Sequence, residues 1–213
     1  MSEYLSGIGA VIFDHDDTLV GSYKAKWAQH KHVAQTWYNK ELTDDEIRQH
    51  WGKPFRTLIR LLYETEDLDT AFRRMMAVHK AYPKLLLPET IPTLQSVHDS
   101  GRLIGVVTAT MRFSFEHDLD ELGIPRNLLD YTQTEDETEH HKPDKRVFDP
   151  AKSWLRAMGV NDSEVLYVGD GLHDYAAASG AGFRFLGVET GLVNQLQFID
   201  AGAVCVSSLG KLL

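Results

Sequence analysis

The 213 residues exceed one average domain and fall short of two ordinary ones, which suits a core of about 140 residues carrying a smaller insertion. A formal net charge of −9, with no stripe of clustered Lys and Arg, argues against a nucleic-acid partner. Hydrophobic content of 43% is enough for a core, yet there is no run of about 18 apolar residues and Met1-Ser2-Glu3-Tyr4 lacks the features of a signal peptide, so a soluble cytoplasmic protein without a membrane partner is expected. The lone Cys205 sits in an apolar run and is expected to be a core residue rather than half of a disulfide.

In chain order, residues 8–13 read as a buried strand ending at Asp14 and Asp16. Side chains alternate along a strand, so carboxylates at i and i+2 leave it on one side and converge on a small volume, where they repel unless a cation neutralises them. Ser22 is placed to cap a long helix running to about Asn39, and Thr43-Asp44-Asp45-Glu46 is a capping-box pattern that starts a second helix ending near Gly52. Pro54 is placed to open a third helix through Arg56, Leu58, Leu61 and Leu62, and a fourth covers about 68–82. No convincing strand lies between Gly21 and Pro88, which predicts an all-helical insertion.

The pattern then alternates. A helix over about 91–100 stops at Gly101, a strand covers 103–108, a helix over 112–122 closes at Gly123, and a short strand lies near 129–132. A helix over about 147–158 stops at Gly159, and strand 164–168, helix 173–181, strand 183–188 and a last strand near Ala203-Val206 complete the series. Such alternation predicts an α/β fold with a doubly wound, Rossmann-like parallel sheet, whose ligands gather beyond the carboxyl ends of the strands. The expected division is a core of residues 1–20 and 89–213 and a helical domain of residues 21–88.

Four segments fall at those strand ends: Asp14-His15-Asp16-Asp17-Thr18-Leu19, Val106-Val107-Thr108, Lys142-Pro143-Asp144-Lys145-Arg146-Val147-Phe148 and Gly169-Asp170-Gly171-Leu172-His173-Asp174. Each is commonplace alone, but together and in this order they resemble the four motifs of the haloacid dehalogenase superfamily. The insertion is similar to the small helical cap of its phosphoglycolate-phosphatase-like and β-phosphoglucomutase-like members, where the cap closes over the site.

The resemblance implies a Mg2+-dependent phosphatase of a small phosphorylated metabolite, monomeric or homodimeric. Asp14 would be the nucleophile that accepts the phosphoryl group and Asp16 the general acid and then base. Asp170 would complete the Mg2+ site with Asp14 and the backbone carbonyl of Asp16, with Asp174 coordinating or holding a bound water. Thr108 would offer a hydroxyl to a phosphate oxygen, and Lys142 a positive charge to Asp14 and the transferring group. In the segment Gly52-Lys53-Pro54-Phe55-Arg56, which resembles the cap's specificity loop, Lys53 and Arg56 are candidates for a second anionic or hydroxylated part of the substrate.

The chain departs from the usual pattern at His15, where an apolar residue is commoner and which is read as a packed or hydrogen-bonded histidine, and at Asp17, where glycine is frequent. Ala109, a candidate substrate contact, stands where a small polar residue often helps, and Lys145 replaces a common second proline. The rival reactions are a phosphomutase, distinguished by dependence on a sugar bisphosphate, and a phosphonate-cleaving enzyme using Lys24, Lys26 or Lys31 as a Schiff base. Dehalogenation is disfavoured because it needs neither Mg2+ nor an acid at Asp16. A phospho-accepting receiver domain is the rival from another class, but it has neither a helical insertion nor a nucleophile on its first strand. His140-His141, without a cysteine cluster, reads as an exposed loop rather than a zinc site.

Overall fold

The computed structural model describes residues 3–53 and 55–213; Pro54, read above as a helix opener, lies outside them. The chain divides into two compact units, Met1–Gly21 with Leu85–Leu213, and Ser22–Lys84. Strand β1 is Ala10–Phe13, and the short β2 is Val20–Gly21. The second unit follows with helices α1 (Tyr23–Tyr38), α2 (Asp44–His50), α3 (Phe55–Tyr63) and α4 (Leu68–Val78). The first unit resumes with β3 (Leu85–Leu86), α5 (Thr90–Asp99), β4 (Leu103–Val107), α6 (Arg112–Glu121) and β5 (Tyr131–Gln133). It ends with α7 (Asp149–Ala157), β6 (Val165–Gly169), α8 (Leu172–Ala181), β7 (Arg184–Val188), α9 (Gln195–Asp200) and β8 (Cys205–Val206).

The main sheet has the order β5-β4-β1-β6-β7-β8 with every neighbouring pair parallel. Both faces of its central strands are buried, as expected when helices cover a parallel sheet on both sides. Val11 and Phe13 of β1 join Ile104, Val106, Leu166 and Val168 in one apolar layer with Leu94 of α5 and Phe115 of α6. Ala10 and Ile12 join Val165 and Tyr167 in the other, with Leu155 of α7 and Ala177 of α8. Each fully buried Phe or Leu contributes about 1.5–3 kcal/mol. After β1 the chain builds outward through β4 and β5, then returns to the other side of β1 with β6, so the strand order reverses between β1 and β6. A ligand crevice is expected at that switch point.

The helical unit is organised around α1, which packs on α3 and α4. Thr43 forms the expected capping box: its hydroxyl accepts from the Glu46 N–H at 3.2 Å, and the Glu46 carboxylate accepts from the Thr43 N–H at 2.8 Å. A cap of this kind stabilises a helix by about 1 kcal/mol. Ser22 does stand at the N-cap of α1, but its side chain makes no capping hydrogen bond. Within the unit His30 is buried, its Nδ1 2.7 Å from the Tyr63 hydroxyl.

Burial, and secondarily the charge of Lys26, lowers the His30 pKa to about 3, so this imidazole is neutral in the folded protein. In the unfolded chain it titrates at about 6.5. Between these values the unfolded state binds the extra proton, so stability falls as pH falls, by up to about 1.4 kcal/mol per unit. His30→Gln should flatten the dependence of urea-unfolding free energy on pH below about 6.5 by that amount. An unchanged slope would contradict the buried neutral imidazole.

Several expected elements differ in extent. The fourth helix ends at Val78 and continues as one 3-10 turn, His79–Ala81. The helix expected from residue 147 begins as a 3-10 turn, Lys145–Phe148, before α7. Besides short 3-10 turns, three elements were not anticipated: helix α9, and strands β2 and β3, whose antiparallel ladder Val20↔Leu86 and Gly21↔Leu85 puts a strand inside the stretch expected to be all-helical. The ladder brings the two ends of the helical excursion together, which is why the units divide at Gly21 and Lys84 rather than at residues 20 and 88. Cys205 lies half-buried on the edge strand β8, not in the core. Gly101, Gly123 and Gly159 close their helices at φ of +76°, +67° and +78°, the left-handed conformation that glycine adopts without a Cβ clash.

Candidate active site

Asp14 extends β1 by one ladder bond, its N–H donating to the Val168 carbonyl at 2.8 Å. It continues the alternation of Ala10 and Ile12, so its carboxylate emerges on the face that carries Tyr167. There the Lys142 ammonium lies 3.0 Å from Asp14 Oδ1 and 2.7 Å from Asp174 Oδ1, with only 3% of its side chain exposed. Burial opposes the charge on Lys142, but the two carboxylates outweigh it and hold the ammonium above the usual lysine range. Burial pushes Asp14 up, partly offset by Lys142, whereas Asp174 lies below its ordinary value because Lys142 overcomes the burial penalty. One buried cation thus ties the end of β1 to the start of α8.

Tyr167 belongs to the same centre and was not foreseen, because in an apolar run its aromatic ring reads only as core. Its hydroxyl accepts from Lys142 at 2.6 Å and donates to the Val107 carbonyl at 3.0 Å. Asp174, fully buried, receives Lys142 on Oδ1 and the Gly171 N–H on Oδ2 at 3.0 Å. Its first task is therefore to hold Lys142. The Lys142-Pro143 peptide is cis.

The odd-numbered side turns inward. His15 follows Val11 and Phe13 into the core, where its Nε2 is 2.9 Å from Asp118 Oδ2 of α6 and its ring packs edge-on to Phe115. That geometry agrees with a packed, hydrogen-bonded histidine. Asp16 is half-buried, and the Thr110 hydroxyl donates to its Oδ2. Thr110 is a second unforeseen residue; its own N–H donates to Thr108 Oγ1 at 3.0 Å, so the two threonines brace each other. Ala109 between them is exposed. Asp17 adopts φ of +57°, a conformation that aspartate tolerates better than most residues and glycine better still.

Asp170 follows β6 with its Oδ2 in the space that a Cβ on Gly191 would occupy. Burial, then the charges of Asp174, Asp14 and Asp17, pushes it well above the carboxylate range, and Lys142 only partly opposes them. Asp14, Asp170 and Asp174 against the one Lys142 ammonium leave an excess of negative charge on hard oxygen donors, which fits a divalent cation such as Mg2+. Among the described residues, ligand atoms of Asp14, His173 and Asp174 lie within 4.8 Å of one another. Lys53 and Arg56 belong to the helical unit, where Lys53 Nζ is 3.0 Å from His50 Nδ1 and Arg56 pairs with Asp69 at 3.6 Å.

A doubly wound α/β enzyme with a carboxylate at the end of its first strand is the class that this fold and centre define. The sequence profile of the haloacid dehalogenase-like hydrolases matches residues 11–188, and the chain belongs to that family. It is 27% identical over 188 residues to Pyrophosphatase PpaX of Anoxybacillus flavithermus, covering 85% of this chain and 83% of that protein. Among solved structures, a predicted phosphoglycolate phosphatase from Haemophilus somnus 129pt superposes with a TM-score of 0.82 at 20% identity, covering 95% of each chain. CbbY from Rhodobacter sphaeroides in complex with phosphate gives 0.78 at 21% identity, covering 96% of each. At these identities the two structures show the shared fold alone. No helix among the described residues is long and apolar enough to cross a membrane.

Proposed function

We propose that the chain is a Mg2+-dependent phosphomonoester hydrolase that acts on a small phosphorylated metabolite through an aspartyl-phosphate on Asp14. The observation that carries this reading is the buried Lys142 held between Asp14 and Asp174 at 3.0 and 2.7 Å. It offsets part of the burial penalty on the Asp14 carboxylate at the end of β1, and Thr108, just beyond the neighbouring strand β4, offers a hydroxyl able to receive a phosphate oxygen.

Asp14 attacks phosphorus, forming its bond to the phosphoryl group as the ester oxygen leaves. Asp16, oriented by Thr110, delivers a proton to that oxygen, and the same group then takes a proton from the water that splits the acyl phosphate. Thr108 and Lys142 bind the phosphoryl oxygens, on which charge accumulates in the transition state. Asp14, Asp170 and the Asp16 carbonyl would hold the Mg2+, flanked by Asp174; when bound, it supplies neutralising charge to the phosphoryl oxygens. The unit Ser22–Lys84 is assigned as a substrate-selecting cap, with Lys53 and Arg56 as its candidate contacts. Lys53→Ala should then raise KM for the true substrate while leaving turnover of a simple aryl phosphate nearly unchanged.

Gly169 gives a sharper test of the geometry. A Cβ there would lie 2.7 Å from Asp174 Cγ and Oδ2, and Asp174 is pinned by Lys142 and the Gly171 N–H. Gly169→Ala must displace the carboxylate that holds Lys142. The expected loss is about 10²-fold in kcat, together with about 1–3 kcal/mol of stability from overpacking. Wild-type turnover in the variant would contradict the role given to Asp174.

A second reading, hydrolysis of pyrophosphate, is favoured by the likeness to Pyrophosphatase PpaX. Phosphate is a far better leaving group than an alkoxide and has less need of a proton from Asp16. Phosphate release from pyrophosphate and from a panel of sugar and carboxylic-acid phosphates, with and without Mg2+, decides between them. Asp16→Asn should lose most of its rate on an alkyl phosphate and much less on pyrophosphate. Mg2+-independent release, or none from any member, would overturn both.

A further inference from the structure

We infer that His173 is a nitrogen donor to the cation site and tilts it toward Mn2+ and Co2+ relative to Mg2+; this rests on the reading that a divalent cation binds beside Asp14. His173 is the second residue of α8, and its ligand nitrogen belongs to the group within 4.8 Å that includes oxygens of Asp14 and Asp174. Its Nε2 is 3.7 Å from Asp174 Oδ2. A second, independent feature makes room for the ring there. Gly171, two residues earlier at the N-cap of α8, has no Cβ; a Cβ built on it would fall 2.3 Å from His173 Cε1 and 2.4 Å from Nδ1. The imidazole occupies the space that any other residue at 171 would fill, turned back over the start of the helix instead of sweeping through solvent. With 45% of the side chain exposed, the ring has one edge toward the carboxylates and the other toward water.

The carboxylates alone offer hard oxygen, which suits Mg2+ with its retained waters. An imidazole changes the ranking, because affinity for nitrogen rises from Mn2+ through Co2+ along the divalent series, whereas Mg2+ exchanges a water for nitrogen with little gain. His173 is then a selector among metals, a role distinct from that of Asp14 and Asp170.

The test is calorimetric titration of the full-length, metal-free wild type, His173→Ala and Asp170→Asn with Mg2+, Mn2+ and Co2+. In His173→Ala the preference for Co2+ and Mn2+ over Mg2+ should fall by at least about tenfold, with Mg2+ affinity nearly unchanged. The proton spectrum of the Co2+ complex should show a paramagnetically shifted imidazole resonance that the variant lacks. An unchanged metal ranking with no shifted imidazole overturns the role of His173 and leaves the phosphatase reading standing. Absence of saturable Mg2+ binding in wild type, with Asp170→Asn indistinguishable from it, overturns the cation site and both inferences with it.

Discussion

Lys142→Met is expected to destabilise the protein by about 3–5 kcal/mol near neutral pH, among the largest effects of any single substitution in the chain. Only 3% of the Lys142 side chain is exposed, and its ammonium lies between Asp14 and Asp174. Methionine fills similar volume but leaves two buried carboxylates facing each other, so each must be desolvated without its partner. Both would then be protonated in the folded variant at pH values where they are ionised in the unfolded chain. A folded-state pKa raised above the unfolded value contributes stability below the unfolded value, near 4, that is lost as pH rises through the raised one. In wild type Asp174 works in the opposite sense, its lowered pKa contributing stability that disappears as pH falls below about 4. The difference between wild type and variant should therefore shrink from about pH 8 to about pH 5 in urea unfolding. A difference that is equal at both pH values would show that Lys142 does not compensate these carboxylates.

Asp14→Asn should abolish turnover, by at least about 10⁴-fold, as loss of a covalent nucleophile does. The side-chain amide is isosteric and the backbone N–H of residue 14 keeps its bond to the Val168 carbonyl, so the fold should persist. It cannot attack phosphorus, and it removes one of the two charges that hold Lys142. Stability is expected to change far less than in Lys142→Met, because asparagine in place of a desolvated carboxylate removes a buried charge whose pKa is already raised. Residual phosphate release within about tenfold of wild type would place the nucleophile elsewhere.

The features legible in the sequence were those carried by local chemistry. Val11, Phe13 and His15 against Ala10, Ile12 and Asp14 follow the period of two, and the structure separates them onto opposite faces of β1. Glycines after helices and the Thr43 box encode their own geometry within a few residues. What stayed hidden depended on partners distant in sequence or on elements too short to have a period. The β2–β3 ladder is two residues wide and joins positions separated by the whole helical unit. Helix α9 has six residues, fewer than two turns of apolar repetition.

The site divides in the same way. The charged residues stand in recognisable order, but nothing near Tyr167 in the chain announces that its hydroxyl receives Lys142, 25 positions away. Thr110 reads as loop until Asp16, 94 positions earlier, is brought to it. His173 is visible in its motif, yet only the missing Cβ of Gly171 explains how its ring turns back toward Asp14. Asp174 reads as a metal ligand in sequence; its hydrogen bonds give it the prior duty of holding the lysine.

In the proposed reaction the phosphoryl group passes through Asp14. Borohydride trapping tests it most directly: the enzyme is quenched during turnover of its best substrate, reduced, digested and read by mass spectrometry. An acyl phosphate on Asp14 is reduced to homoserine, so homoserine is expected at position 14, dependent on substrate and absent from Asp14→Asn. An unmodified Asp14 in enzyme that is releasing phosphate, or homoserine at another aspartate, would contradict it.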